Sequence, residues 1–182
     1  MLMESELKIL DWIQSIRTPV GDVLMPFVSG LGNAGIIWVL LAVILMIRPK
    51  TRKSGIVLVL ALGFDVILCN LILKNVFCRI RPCDVNTAVQ LLIARPSDYS
   101  FPSGHTAAAF AAVSAMYFAG EKKIWKPALV LAVFIAFSRM YLYVHYPTDI
   151  LGGIAVGMLT GYMGYWLVGQ LEELRDRRRK ER

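Results

Sequence analysis

The 182-residue sequence has few of the residues that most often carry chemistry. It holds two histidines, His105 and His145, and three cysteines, and no histidines and cysteines have the spacing of a zinc site. Cys78 and Cys83 could form a disulfide if their loop faces an oxidising compartment, although free thiols are the simpler interpretation. The first thirty residues lack the long apolar core of a cleavable signal peptide, so we expect none. No internal repeat or low-complexity segment appears apart from a charged tail.

Apolar residues are abundant instead. They make up 57% of the chain, which exceeds the apolar content of ordinary soluble domains. A membrane-spanning helix needs about 20 mostly apolar residues. The sequence therefore predicts an all-α, multi-pass membrane helix bundle, a single embedded domain over residues 1–182. The expected spans are five: 29–47, 55–73, 104–119, 127–144 and 150–171.

Residues 1–28 form a distinct N-terminal segment. The apolar positions of ESELKILDWIQSIRTP fit an amphipathic helix that ends at Thr18-Pro19. We expect this helix to lie in the membrane interface with Trp12 as an anchor. A sixth membrane helix is the alternative for this segment.

Positive charge is concentrated in three regions: RPKTRKSG after the first span, GEKKIWKP after the third, and the tail 172–182. With five spans these regions share one side, which the positive-inside rule assigns to the cytoplasm. In a cell membrane the N-terminus, the loop 74–103 and the turn near His145 would then face outward. That outer loop nevertheless carries Lys74, Arg79, Arg81 and Arg95, and such cations suggest an anionic ligand.

The start of the third span has the features of a phosphate site. In FPSGHT, Ser103 is a good N-cap, and the free N–H groups that follow it favour an anion. Gly104 permits close approach of a phosphate to the backbone, and His105 lies in the first turn. Alone, this pattern fits a simple turn before a helix equally well.

Two further stretches supply cations and the second histidine. Lys74 and Arg81 are about two helical turns apart and could share a face. Arg139 could bind phosphate or merely extend to the lipid headgroups. His145 is followed four residues later by Asp149, whose carboxylate could fix the imidazole tautomer or simply cap the last helix.

Taken together, the three stretches resemble the type 2 phosphatidic acid phosphatase family of membrane lipid phosphatases. The signature of that family is Lys-x6-Arg-Pro, Pro-Ser-Gly-His and Ser-Arg-x5-His-x3-Asp. It corresponds here to Lys74 through Arg81-Pro82, to 102–105, and to Ser138-Arg139 through His145 and Asp149. Every spacing agrees, and the resemblance covers roughly residues 34–171.

The resemblance implies a role for each matching residue. His145 would be the nucleophile that takes the phosphoryl group, Asp149 would orient it, and His105 would protonate the leaving oxygen and then activate water. The phosphate would be bound by Lys74, Arg81, Ser103, Gly104 and Arg139. The family uses no metal ion, so we expect no metal and no cofactor. The expected partners are a membrane lipid phosphate and the bilayer, with no nucleic acid, and the oligomeric state is left open.

Several alternatives remain open at this point. Undecaprenyl diphosphate is the preferred substrate, because small family members with an interfacial N-terminus resemble the bacterial phosphatases of that lipid. Phosphatidylglycerophosphate and phosphatidic acid also fit, as does a phosphotransferase with the same histidine pair. A non-enzymatic transporter would need polar residues along its spans, and the main candidates are Asp65 and Asn70. For Asp65 we expect a hydrogen bond inside the bundle instead. A vanadium haloperoxidase shares the motifs but is soluble.

Overall fold

The computed structural model describes residues 2–181, and all regular structure within that range is helical. A 3-10 turn at Asn33–Gly35 joins α2 to α3, and a π-helical segment at Val66–Leu73 joins α4 to α5. The helices are α1 (Leu2–Ser15), α2 (Pro19–Leu31), α3 (Ile36–Ile47), α4 (Arg52–Asp65), α5 (Lys74–Phe77), α6 (Pro82–Val85), α7 (Gly104–Phe118), α8 (Lys122–Tyr141) and α9 (Pro147–Lys180).

The N-terminal region contains one helix more than the sequence predicted. The amphipathic α1 ends before Thr18-Pro19 as expected, but Thr18 then begins α2, and its Oγ1 accepts a hydrogen bond from the Gly21 N–H. The prediction of one continuous helix over 29–47 is wrong. The chain breaks at Ala34 and Gly35, which have φ angles of 49° and 66°, and the two halves are bent by 46°. Glycine adopts this left-handed conformation without strain.

Within residues 2–181, three helical stretches are long and apolar enough to cross a membrane: Arg52–Val85, Lys122–Tyr141 and Pro147–Lys180. The bent pair Pro19–Leu31 and Asn33–Ile47 makes a fourth if it counts as one span. The expected third span corresponds to α7, which has only 15 residues and is buried along most of its length. It forms the centre of the bundle, while the count of five spans stays a prediction.

Small residues hold the centre together. A Cβ atom on Gly157 would lie 2.4 Å from the carbonyl oxygen of Ala107, and one on Gly161 would lie 2.4 Å from Cβ of Ser114. Neither position has room for a side chain, so α7 and α9 approach more closely than larger residues allow. The close packing expected from the small-residue faces of these helices is confirmed.

The signature residues converge at one end of this bundle. The α4 stretch runs through the π-helical segment and α5, which carries Lys74, and ends at Cys78 in the left-handed conformation. The start of α7 and the turn between α8 and α9 lie at the same end, and Ser103 N–H donates to the Asp149 carbonyl (3.1 Å). Cys69, Cys78 and Cys83 are all free thiols, as the simpler interpretation held.

Candidate active site

A polar cavity of about 390 Å³ lies at this end of the bundle. All three signature stretches contribute to its wall, although they are far apart in sequence. Six of the eight predicted site residues line it: Lys74, Arg81, Gly104, His105, Arg139 and His145. Of the other two, Asp149 is fully buried beside His145, and Ser103 is buried at the start of α7.

His145 is held between Arg81 and Asp149. Its Nε2 lies 3.1 Å from Nη1 of Arg81, and its Nδ1 lies 3.4 Å from Oδ2 of Asp149. Because a guanidinium can only donate, Nε2 must accept and Nδ1 must carry the proton, which points to the carboxylate. Burial, together with the positive charges of Arg81, Arg139 and Lys74, holds the pKa of His145 well below its usual range. The imidazole is therefore neutral, with a lone pair directed at the cations.

Asp149 has several hydrogen-bond donors besides His145. Its Oδ2 accepts from the Ser100 hydroxyl at 2.5 Å and from the Tyr146 N–H at 2.9 Å, and its Oδ1 accepts from Nη1 of Arg79 at 2.6 Å. The bond from the Tyr146 N–H is the cap of α9 that the sequence offered as an alternative role. The carboxylate of Asp149 can thus cap α9 and orient His145 at the same time.

Asp98 forms ion pairs with two of the cations, Lys74 and Arg81. It was not among the site residues predicted from the sequence. Its Oδ1 accepts from Nη2 of Arg81 at 2.6 Å, and its Oδ2 accepts from the Lys74 ammonium. Burial opposes ionisation of Asp98, but the bonds and charges of Lys74 and Arg81 outweigh it and lower the pKa of Asp98 well below its usual range. A phosphate that binds here must share these two cations with Asp98.

Arg139 is buried inside the bundle. Its side chain is 4% exposed, and Nη1 donates to the hydroxyl of Ser29 on α2. Its buried Nε has no hydrogen-bond partner within the described part of the chain. A buried charged donor without a partner is costly, so an anion in the cavity would satisfy it.

His105 is positioned by the break between α2 and α3. Its Nε2 lies 2.9 Å from Oδ1 of Asn33, and a Cβ on Gly32 would lie 3.0 Å from its ring carbon Cδ2. Gly104 is similarly close to a neighbour, since a Cβ there would lie 3.0 Å from Oδ1 of Asn70. The Asn70 side chain thus leaves little room at this position, in addition to the phosphate contact expected from the sequence.

The capping bond expected for Ser103 is not formed. Ser103 occupies the N-cap position of α7, but its side chain bonds to none of the helix N–H groups. Its hydroxyl instead accepts from the hydroxyl of Thr106 at 3.0 Å, and both groups are fully buried. The contact of Ser103 with phosphate stays a prediction.

A second cavity, of about 490 Å³, continues from the polar one between α3 and the π-helical segment. Lys74, Asp98, Gly104 and His105 belong to both cavities. Most of the remaining wall is apolar, with Val39, Leu62, Val66 and Ala108 among its residues. Asp65 also lines it, and its Oδ1 has no hydrogen-bond partner among residues 2–181, so the bond expected inside the bundle is not found at that atom.

Among residues 2–181 the structure has no group of three histidine, cysteine or acidic side chains that could hold a metal ion. The ion pairs of the site are instead between the cations and Asp98 or Asp149. The arrangement can bind an anion with multiple negative charges next to a neutral histidine.

Comparison with known proteins is consistent with this chemistry. Residues 54–173 match the family model described as the PAP2 superfamily. A match over this much of the chain means that it belongs to that superfamily and is a phosphatase. Residues 1–53, which include α1 and α2, lie outside the match.

The relatives include phosphatases of two membrane lipids. The chain is 31% identical over 140 residues to an undecaprenyl-diphosphatase of Sulfolobus acidocaldarius. The aligned residues cover 77% of this chain and 67% of that protein. It is 31% identical over 149 residues to undecaprenyl-diphosphatase BcrC of Bacillus subtilis, with 82% and 76% covered. It is 32% identical over 160 residues to phosphatidylglycerophosphatase B of the same organism, with 81% and 75% covered.

Two solved structures have the same fold. One is a transmembrane PAP2-type phosphatidylglycerolphosphate phosphatase from Bacillus subtilis, with a TM-score of 0.74, 29% identity, and 94% of this chain and 86% of that chain covered. The other is LpxE of Aquifex aeolicus, with a TM-score of 0.73, 28% identity, and 87% and 93% covered. The protein is thus an all-helical membrane phosphatase.

Proposed function

We propose that the protein hydrolyses a lipid-linked phosphate or diphosphate through a phosphohistidine intermediate on His145. The observation that carries the proposal is the position of His105, which lies where the polar and the apolar cavity meet. A lipid phosphate has the same division, with a charged group joined to an apolar chain through one oxygen. Placed across the two cavities, it would bring that oxygen next to His105.

The first half-reaction follows from the state of His145. Lys74, Arg81 and Arg139 would bind the phosphate oxygens, joined by the N-terminus of α7 at Ser103 and Gly104. The Nε2 lone pair of His145 would attack phosphorus, and the bond from phosphorus to the lipid oxygen would break. His105 would donate a proton to that oxygen. Asp149, which faces the proton on Nδ1, would stabilise the positive imidazole ring of the phosphohistidine.

The second half-reaction uses the same residues in reverse. His105, now without its proton, would take one from a water molecule as that water attacks the phosphorus. The P–N bond would break, releasing inorganic phosphate and neutral His145. Phosphoryl transfer depends mainly on positioning and on stabilisation of charge, and the cations supply both without a metal ion.

The substrate we propose first is undecaprenyl diphosphate, and two of the relatives are named as phosphatases of that lipid. Phosphatidylglycerophosphate is the second candidate, supported by the fold shared with a phosphatase of that lipid. We place the site on the outer face of the cytoplasmic membrane and the tail 172–182 in the cytoplasm, because the three basic regions would share the cytoplasmic side.

Phosphate release by the purified protein from a panel of lipids tests the proposal. The panel comprises undecaprenyl diphosphate, phosphatidylglycerophosphate and phosphatidic acid, with His105→Ala as the control. The proposal expects release from at least one lipid and a large loss of it in the control. Release from water-soluble phosphate esters alone would contradict the lipid substrate. Repeating the assay with a lipid alcohol as acceptor would reveal a phosphotransferase, since the group would then appear on the alcohol.

A further inference from the structure

We propose that Glu6 of α1 and Arg79 of the outer loop are positioning residues for the pair His145 and Asp149. The inference rests on the proposed histidine mechanism. Neither residue lines the polar cavity, and Glu6 lies outside the part of the chain that matches the family model. Their effect on the reaction would therefore pass through Asp149.

Arg79 holds one oxygen of Asp149 in place. Its Nη1 lies 2.6 Å from Oδ1 of Asp149 and 2.6 Å from Oγ1 of Thr148, and its Nη2 lies 2.5 Å from Oε2 of Glu6. The guanidinium also stacks on the ring of Tyr146, 4.0 Å from its centroid. A planar fork is needed to reach both carboxylates at once, and lysine does not provide one.

Glu6 connects the N-terminal helix to the start of α9. Its side chain is only 4% exposed. Its Oε1 accepts from the backbone N–H of Thr148 at 2.9 Å and from the Thr148 hydroxyl at 2.6 Å. Thr148 lies in the first turn of α9, where a negative charge is favourable. The carboxylate of Glu6 thus binds both Arg79 and Thr148, the residue before Asp149.

The consequence for His145 is both geometric and electrostatic. Because Arg79 occupies Oδ1, Oδ2 is the oxygen left for His145, Ser100 and the Tyr146 N–H. Arg79 alone would cancel the charge of Asp149, but with Glu6 the three groups together carry a net charge of −1. That charge faces the imidazole, which becomes positive when it is phosphorylated. Removing the charge of Glu6 should slow phosphoryl transfer and leave phosphate binding unchanged.

The variant Glu6→Gln tests this effect, with Asp11→Asn as its matched control. Asp11 is also on α1, and it accepts a hydrogen bond from the Tyr143 hydroxyl at 2.7 Å, so it too anchors α1 to the turn before α9. It does not contact Asp149. If α1 is only an anchor, both variants should behave alike.

We expect Glu6→Gln to lower kcat by about 10–100-fold, by analogy with the loss caused by removing a carboxylate that orients a metal-bound histidine. KM and the inhibition constant of inorganic phosphate should stay within about twofold of the wild type, since Lys74, Arg81 and Arg139 are intact. Asp11→Asn should retain wild-type kcat. Equal kcat values in the wild type and Glu6→Gln, or equal losses in both variants, would overturn the inference.

Arg79→Lys is the second variant, and it decides the matter if Glu6→Gln does not fold. It keeps the charge but loses the bridge between the carboxylates, so kcat should again fall with the phosphate inhibition constant unchanged. Wild-type kcat in Arg79→Lys would overturn the inference. The failure of the proposed mechanism looks different, because it would appear as full activity in His145→Ala.

Discussion

Nη1 of Arg81 donates to Nε2 of His145 over 3.1 Å, so this cation is hydrogen-bonded to the atom that we propose as the nucleophile. The same Nη1 also donates to the carbonyl oxygen of Val144 at 2.7 Å, which fixes the guanidinium relative to the turn. For His145 to attack phosphorus, this bond must be exchanged for one from Arg81 to a phosphate oxygen. Binding of the phosphate would thus place it against Nε2 and release the lone pair in one step.

The role of Arg139 is tested by Arg139→Lys. The buried Nε has no hydrogen-bond partner among residues 2–181, and in the proposed mechanism the guanidinium would bind phosphate through this nitrogen and a second one. Lysine cannot reproduce a planar contact, so kcat/KM should fall. The lost transition-state stabilisation should be on the order of 1.5–3 kcal/mol. Steady-state kinetics with the preferred lipid measures this loss.

The control for Arg139→Lys is Arg17→Lys. Arg17 makes a two-point ion pair with Asp22, at 2.8 Å and 2.9 Å, but does not line the polar cavity. It should keep wild-type kcat/KM even if stability falls slightly. Wild-type kinetics in Arg139→Lys would remove Arg139 from the phosphate site.

Asn33→Ala tests how His105 is held. Loss of the hydrogen bond to Nε2 of His105 should raise the activation free energy by an amount on the order of 0.5–1.5 kcal/mol, because the imidazole loses its preferred orientation. The result is a lower kcat. Asn75→Ala is the matched control, since Asn75 is an exposed asparagine whose side chain donates to the carbonyl of Leu71, within its own helical stretch. A kcat equal to that of the control variant would show that Asn33 does not orient His105.

Activity should survive metal chelation. The cations of the site stabilise negative charge themselves, and the described residues contain no cluster with the donors of a metal site. Phosphate release in EDTA should match the untreated rate. Activity that disappears in EDTA and returns with one divalent ion would argue for a metal-dependent reaction.

The orientation in the membrane can be tested by cysteine labelling in intact cells. Lys122→Cys should be protected from an impermeant reagent, and Arg95→Cys should be labelled. The background needs Cys78→Ser, because Cys78 is exposed. Labelling of position 122 from outside would reverse the orientation and move the site to the cytoplasmic face.

The sequence predicted six of the residues that line the polar cavity, but not Ser29, Asn33 or Asp98, which also line it. The residue spacing shared with the family signature identified the six: Lys74, Arg81, Gly104, His105, Arg139 and His145. The sequence was also sufficient for the close packing of α7 and α9. Both results depend on local sequence patterns, the signature motifs and the small-residue helix faces, which can be recognised without the tertiary structure.

The rest depends on contacts that sequence patterns do not record. The helix α2 was missed because PVGDVLMPFVSGL contains an internal proline and several small residues. Glu6 and Arg79 are separated by 73 positions, and Asn33 and His105 by 72, so only the tertiary structure pairs them. The sequence suggested an anionic ligand for Arg79 and the other cations of the loop 74–103, and in the structure Arg79 instead pairs with Asp149 and Glu6.

Covalent labelling of the enzyme by its substrate tests the central claim most directly. The wild type, mixed with a lipid phosphate labelled with radioactive phosphorus and quenched in alkali within one turnover, should carry the label on the peptide that contains His145. His145→Ala should carry no label and should release phosphate slower by orders of magnitude while it remains folded. Near-normal phosphate release by a folded His145→Ala variant, or a label on another residue, would contradict the account.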